Sequence, residues 1–304
     1  MALMAIGPVA VLTIAAVLWV APEARAGWRE ELGTFRIGMV ASPGSGAVVE
    51  GARAIRDAYA RALGMQVEIF VARDYGALID AQASSRIEYA IHTASSYAAA
   101  FRRCSCIEPI VAPVSADGAI GLRSVLIARA DGPRSADDLS QARIAFGPQD
   151  SATGFRLPLA GFAPGGVPLT GAEPFLVEVA GETEAEQAFL DGRVNAMFGF
   201  VAASREDEGP AGGTLARLAA AGAAAPNVLW ASNVLRNGPH AVHTSLASEA
   251  KDALRDFLTG LRDTDPDVYD LVERRAAGGF AAVVHADYLA ALALVDAVAR
   301  ETLR

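Results

Sequence analysis

The apolar run Ile144-Ala145-Phe146 leads directly into Gly147-Pro148-Gln149-Asp150-Ser151-Ala152-Thr153-Gly154-Phe155-Arg156-Leu157-Pro158. A short apolar run stopped by Gly-Pro reads as the end of a buried strand. Beyond the turn, Leu157, Leu159 and Phe162 fall on one helical face. The stretch is therefore a strand, a tight polar turn and a helix start. The hydroxyl of Ser151 or Thr153 can cap that helix. Its first backbone N–H groups have no internal partners and point outward. The turn is either an ordinary capped helix start or an anion site that needs no lysine.

The same alternation runs along the chain. Residues 35–40, 66–71 and 89–92 read as strands, with helices over 48–63, from Tyr75 to about Ser84, and from Thr93. Ser124–Ala128 is a longer apolar strand, after which the pattern restarts. A helix near Ala136, strand 144–146, a helix from Gly154, strand 175–179, helix 184–190 and strand 194–198 follow in turn. Ser204–Glu208 is a charge run suited to a solvated loop, and 227–230 is another strand. The tail is helical over 247–261, near Val268 and over 286–302. Strands alternating with helices predict an α/β fold with mostly parallel sheet. Two successive sets and a helical tail predict two lobes.

Composition narrows the function. The chain has 304 residues, 52% hydrophobic and 20% charged, which fits a globular protein. A net charge of -9 leaves no basic stripe for nucleic acid. Residues 1–20 carry no charge, and Ala24 and Ala26 match an A-x-A cleavage pattern. Residues 1–26 therefore read as a secretory signal, although no Lys or Arg precedes the apolar run; a retained anchor is the other reading. Cys104 and Cys106 are the only cysteines, and their spacing allows either two thiols or a small closed loop. No further ligands stand at metal-binding spacing, so neither a metal nor a cofactor is expected. His240 and His243 would point to opposite faces of a strand, and His92 ends a strand near the expected ligand side. The nucleophile-elbow, H-E-x-x-H and P-loop patterns do not occur, which speaks against an enzyme.

Several stretches, taken in order, resemble one family. Ala72-Arg73-Asp74-Tyr75 is similar to its strand-end A-x-D-Y, and Thr93-Ala94-Ser95-Ser96-Tyr97 stands in the place of G-P-x-x-Y. Asp117-Gly118 through Arg123-Ser124-Val125-Leu126-Ile127 resembles the strand usually written G-Y-x-S-V-L. Asp150–Phe155 with Pro158 resembles S-T-S-G-x-x-x-P. The family is that of the periplasmic phosphate, phosphite and phosphonate substrate-binding proteins of ABC importers, and the resemblance spans about 35–298. It implies the two-lobed, type 2 periplasmic-binding-protein fold, with ligand in the cleft and crossings near Ser124–Ala128 and Trp230–Val234. It implies a first lobe of 27–125 and 233–304 and a second of 126–232. It also implies a periplasmic monomer that binds a small oxyanion-bearing solute and meets the membrane only through a permease.

The ligand residues expected from these positions are Ser42, Tyr75, Thr93, Ser95, Arg123, Ser151, Ala152, Thr153, Gly154 and Glu182. Arg123 and Arg156 are the cations expected nearest the cleft. The chain departs from the pattern at three places. Leu122 replaces a usual Tyr, Ala152 replaces a Thr, and Gly181-Glu182-Thr183 replaces Gly-His. A carboxylate at 182 repels a second negative charge, which favours a singly charged or zwitterionic ligand unless Glu182 turns outward or pairs with Arg156. Two rival functions remain: a sensory ligand-binding protein that signals to a membrane kinase, and an enzyme on the same fold.

Overall fold

The structure, a computed structural model, describes residues 27–41, 49–204, 212–273 and 276–302. The signal segment, Ser42 and most of the 204–208 charge run lie outside the described residues. In chain order the elements are α1 (Trp28–Leu32), β1 (Thr34–Val40), α2 (Ala52–Leu63), β2 (Gln66–Ala72), α3 (Tyr75–Ala83), β3 (Tyr89–Ile91), α4 (Ala94–Cys104) and β4 (Ile107–Pro113). Then come β5 (Ala119–Ala128), β6 (Ile144–Phe146), α5 (Leu157–Gly161), β7 (Leu176–Glu178), α6 (Glu182–Leu190), β8 (Ala196–Ser204) and α7 (Thr214–Ala220). The chain returns through β9 (Asn227–Ala231), β10 (Leu235–Arg236) and β11 (His240–His243), and ends in α8 (Ser248–Thr264), α9 (Pro266–Val272), β12 (Phe280–Ala282) and α10 (Leu289–Thr302).

Two sheets form, ordered β12-β4-β11-β3-β1-β2 and β10-β5-β8-β6-β7, with β9 also on β5. They are mixed rather than mostly parallel. β1 runs parallel to β2 and β3, and β6 runs parallel to β7 and β8. β11 is antiparallel to β3 and β4, while β8, β9 and β10 are antiparallel to β5. β5 lies wholly in the second sheet, so the chain crosses at 114–118 and again at 237–239. The crossings expected near Ser124–Ala128 and Trp230–Val234 instead lie within that sheet, the first on β5 and the second at the end of β9 and the short link to β10.

Each sheet carries its own core. Alternate residues Phe35, Ile37 and Met39 of β1 share a face, joined in one cluster by Ile55, Tyr59 and Leu63 of α2 and by Leu254, Leu258 and Leu261 of α8. Removing each such aliphatic side chain from water stabilises the fold by about 1.5–3 kcal/mol. Gly38 points the other way and admits α3: a Cβ there would lie 2.6 Å from Leu78 Cδ1. The second sheet is clothed by two clusters, one centred on Val125, Met197 and Phe189, the other on Phe146, Phe155 and Phe198. Cys104 and Cys106 form a disulfide that closes a loop at the end of α4. Near Ala136 the expected helix is a 3-10 turn, Ala136–Gln141.

Candidate functional site

Two helix starts stand at the carboxyl ends of the first sheet's strands. Asp74 caps α3, its side chain accepting from Ala77 N at 2.7 Å. That hydrogen bond holds the Asp74 carboxyl below the usual carboxylate range, assisted by Arg73. Tyr75, the next residue, is 40% exposed, too open for a packing role. Thr93 caps α4 in a reciprocal box: Ser96 N donates to Thr93 Oγ1 at 3.0 Å, and Thr93 N donates to Ser96 Oγ at 2.9 Å. Both helix starts line a cavity of about 530 Å³ that also takes in Met39 and Val40 from the end of β1 and Ile91 from the end of β3. Open α/β sheets place ligands at such strand ends.

The second crossing completes this cavity with Arg236, Asn237 and Gly238, and the first crossing adds Ser115. Asn237 Nδ2 donates to Pro113 O at 2.9 Å, which ties the two crossings together. Gly238 packs on the cap of α4, where a Cβ would lie 2.0 Å from His92 O. Glu50 and Glu273 supply carboxylates to the same cavity. His92 also reaches it, but the ring is engaged on both sides, with Ser96 Oγ at 3.0 Å and Gln82 Oε1 at 2.7 Å.

The remaining expected residues gather elsewhere, in the second sheet. Ser151 caps a π turn, Ala152–Arg156, accepting from Gly154 N at 2.9 Å. Gly147 N donates to Gly154 O at 3.0 Å, which folds the turn back on the end of β6, and Ser124 Oγ donates to Thr153 O at 2.6 Å, which ties it to β5. Gly154 must lack a side chain, because a Cβ would sit 2.9 Å from Ser151 Oγ. Thr153 is buried, with Oγ1 donating to Glu182 Oε1 at 3.4 Å. Glu182 opens α6 and pairs with Arg217 at 3.2 Å, while Arg217 also binds Glu186 at 2.6 Å and Thr214 Oγ1 at 3.3 Å. Those carboxylates hold the Arg217 guanidinium above its ordinary pKa. The partner of Glu182 is thus Arg217, not Arg156.

Of the expected residues, Tyr75 and Thr93 line the cavity. Ser151, Ala152, Thr153, Gly154 and Glu182 form the separate group on the second sheet. Ser95 is exposed on α4, outside the cavity lining. The two arginines expected at the cleft are occupied locally: Arg123 Nη1 donates to Ser232 O at 2.8 Å, and Arg156 Nε donates to Gln149 O at 2.8 Å. Arg236 lines the cavity in their stead. Placing the second crossing too early hid it; the signal lay in Asn237-Gly238-Pro239, a chain break directly after Arg236.

The family pattern described as ABC transporter, phosphonate, periplasmic substrate-binding protein matches residues 37–288. The chain belongs to that family. Among solved structures, a binding protein component of an ABC phosphonate transporter from Pseudomonas aeruginosa is 21% identical, over 84% of this chain and 83% of that one, with a TM-score of 0.42. A Xanthomonas citri protein bound to ATP is 14% identical over 88% and 98% of the two chains, with a TM-score of 0.50. PhnD1 from Prochlorococcus marinus, in complex with methylphosphonate, is 11% identical over 89% and 98%, with a TM-score of 0.45. Identities this low bear on fold alone, and the fold is the two-lobed one of periplasmic binding proteins. As a phosphonate-family binding protein, the chain serves an ABC transporter and has a small-molecule ligand and a permease as its partners. No helix among the described residues is long and apolar enough to cross a membrane.

Proposed function

We propose that this binding protein captures a small oxyanion-bearing solute, of phosphonate, phosphite or phosphate type, in a cleft between its lobes and delivers it as a monomer to an ABC permease. The observation that carries this is the convergence of the α3 and α4 starts and the second crossing on one cavity at the strand ends. Two helix N-termini and a guanidinium give that cavity an attraction for anions. The Ser151 turn is the corresponding anion-facing element of the second lobe, brought to the ligand on closure. We place the lobe limits at the crossings, 114–118 and 237–239. The site works by binding alone, and bound ligand is released unchanged.

The test is a thermal-shift and calorimetric screen with phosphate, phosphite, methylphosphonate, 2-aminoethylphosphonate, sulfate and small carboxylates. A true ligand at one hundred times its Kd adds about 2.7 kcal/mol. That corresponds to a rise in Tm of roughly 4–5 °C for a chain of this size. A phosphorus oxyanion should give such a concentration-dependent rise, and NMR should recover it chemically intact. A protein unmoved by every oxyanion in the screen would not have this function.

A further inference from the structure

We propose that Arg236 holds the anionic group of the ligand, which rests on the binding function above and adds to it a residue that reads the ligand's charge. Arg236 is half-buried and lines the cavity shared by the α3 and α4 starts. Its Nε is buried and has no hydrogen-bond partner among the described residues. A guanidinium presents its donors in a fixed fork that matches two oxygens of one oxyanion. The charge lies beside the Tyr288 hydroxyl, which itself donates to Asn237 O at 2.9 Å.

The backbone that carries Arg236 is held rigidly. Arg236 pairs with Gly121 on β5, and a Cβ on Gly121 would lie 2.3 Å from Leu235 O and 2.8 Å from Arg236 Cα. Only a glycine lets the two crossing strands approach this closely. The next residue, Asn237, is bonded to Pro113, the last residue of β4 before the other crossing. A ligand on Arg236 therefore touches the place where the chain passes from lobe to lobe.

Charge accounting in the cavity gives Arg236 its weight. Apart from it, the charged side chains among the described lining residues are Glu50 and Glu273; His92 is neutral. Replacing Arg236 by a neutral residue removes the one permanent cation among the described lining residues and with it the attraction for an oxyanion.

The experiment titrates native protein, Arg236→Lys and Arg236→Gln with methylphosphonate, phosphite and phosphate by calorimetry, with unfolding curves as the control for folding. For the anion the native protein binds best, Arg236→Gln should weaken binding at least about tenfold. Arg236→Lys, which keeps the charge but loses the fork, should fall between the two. On the native protein, the same anion at saturation should slow phenylglyoxal modification of Arg236, read by peptide mass mapping; this needs no variant to fold. If the native protein binds and both the Gln variant's affinity and the labelling rate stay within twofold, Arg236 is not the anchor while the binding function stands. If the native protein binds none of these three anions and no oxyanion of the wider screen, both the function and the assignment fall; if it binds only another anion of that screen, the function stands and the assignment to these three falls.

Discussion

Gly238 shows how little space separates the second crossing from the ligand-side helix. A methyl group there would lie 2.0 Å from His92 O and 2.7 Å from Thr93 Cα, both of them backbone atoms that cannot swing aside. Overpacking of this kind costs about 1–3 kcal/mol even where side chains can adjust. Gly238→Ala should therefore lower the urea midpoint of unfolding and also weaken ligand binding, because Thr93 and Arg236 line the same cavity as Gly238. A variant with native midpoint and affinity would contradict this packing. Glu182 offers the opposite case. Its carboxylate and Arg217 are each 43% exposed, so their ion pair contributes no more than about 1 kcal/mol. Arg217 is shared with Glu186, so one cation faces two carboxylates and the repulsion of a dianion by Glu182 is reduced but not removed. Glu182→Gln should change stability by less than about 1 kcal/mol in chemical denaturation.

At the scale of elements, α4 is the helix on which fold and site depend together. Its cap is reciprocal, and Thr93→Ala removes one of the two hydrogen bonds while freeing Ser96 N beside the cavity. The expected loss is about 1 kcal/mol, read as a fall in urea midpoint, with a smaller effect on affinity because the helix start persists. Ser151→Ala should behave alike, since that hydroxyl is the cap of its own turn and not a free ligand contact. The Ser151 cap was legible, as one of two hydroxyls at a helix start, because capping is a local signal. Strands set by distant partners were not. β4 contains Pro109 and Pro113, which argue against a strand, yet it sits between β11 and β12. The sheet tolerates Pro109 beside a register shift at His240/Ala241. β10 has two residues and exists because Leu235 meets Leu122. Arg236 went unread for that reason: the Asn237-Gly238-Pro239 break marks where its strand ends, but its place at the cavity depends on the distant pairing with β5.

At the scale of the whole molecule, the lobes meet through two crossings and through α10, which packs with α4 and also reaches α5. The first lobe carries a buried polar chain. Tyr59 and Tyr89 share a hydrogen bond of 2.7 Å, Tyr89 bonds His240 Nδ1, and His92 lies close enough to His240 to influence it. Burial pushes both imidazoles down to about 3 from the ordinary 6.5, so the folded protein holds them neutral. The unfolded chain protonates them as the pH falls through 6.5, whereas the folded chain does not. Below that value the unfolded state thus binds more protons, and stability declines with falling pH until the folded value is reached. The slope approaches about 1.4 kcal/mol per pH unit for each histidine well below 6.5, which comes to roughly 4 kcal/mol for the two between about pH 7.5 and 5. That is a large share of the roughly 5–15 kcal/mol typical of a native protein. Most carboxylates remain ionised above about pH 5, so this window isolates the histidines. His243 and His285 are also held below the ordinary imidazole value by burial, so urea unfolding at about pH 7.5 and pH 5.0 should show at least this loss in the native protein and a loss smaller by about 2 kcal/mol in His240→Gln. The comparison is between slopes, so a variant that is weaker at both pH values still reports. A native protein that loses less than about 1 kcal/mol across the window would show that the two rings are not held neutral by burial.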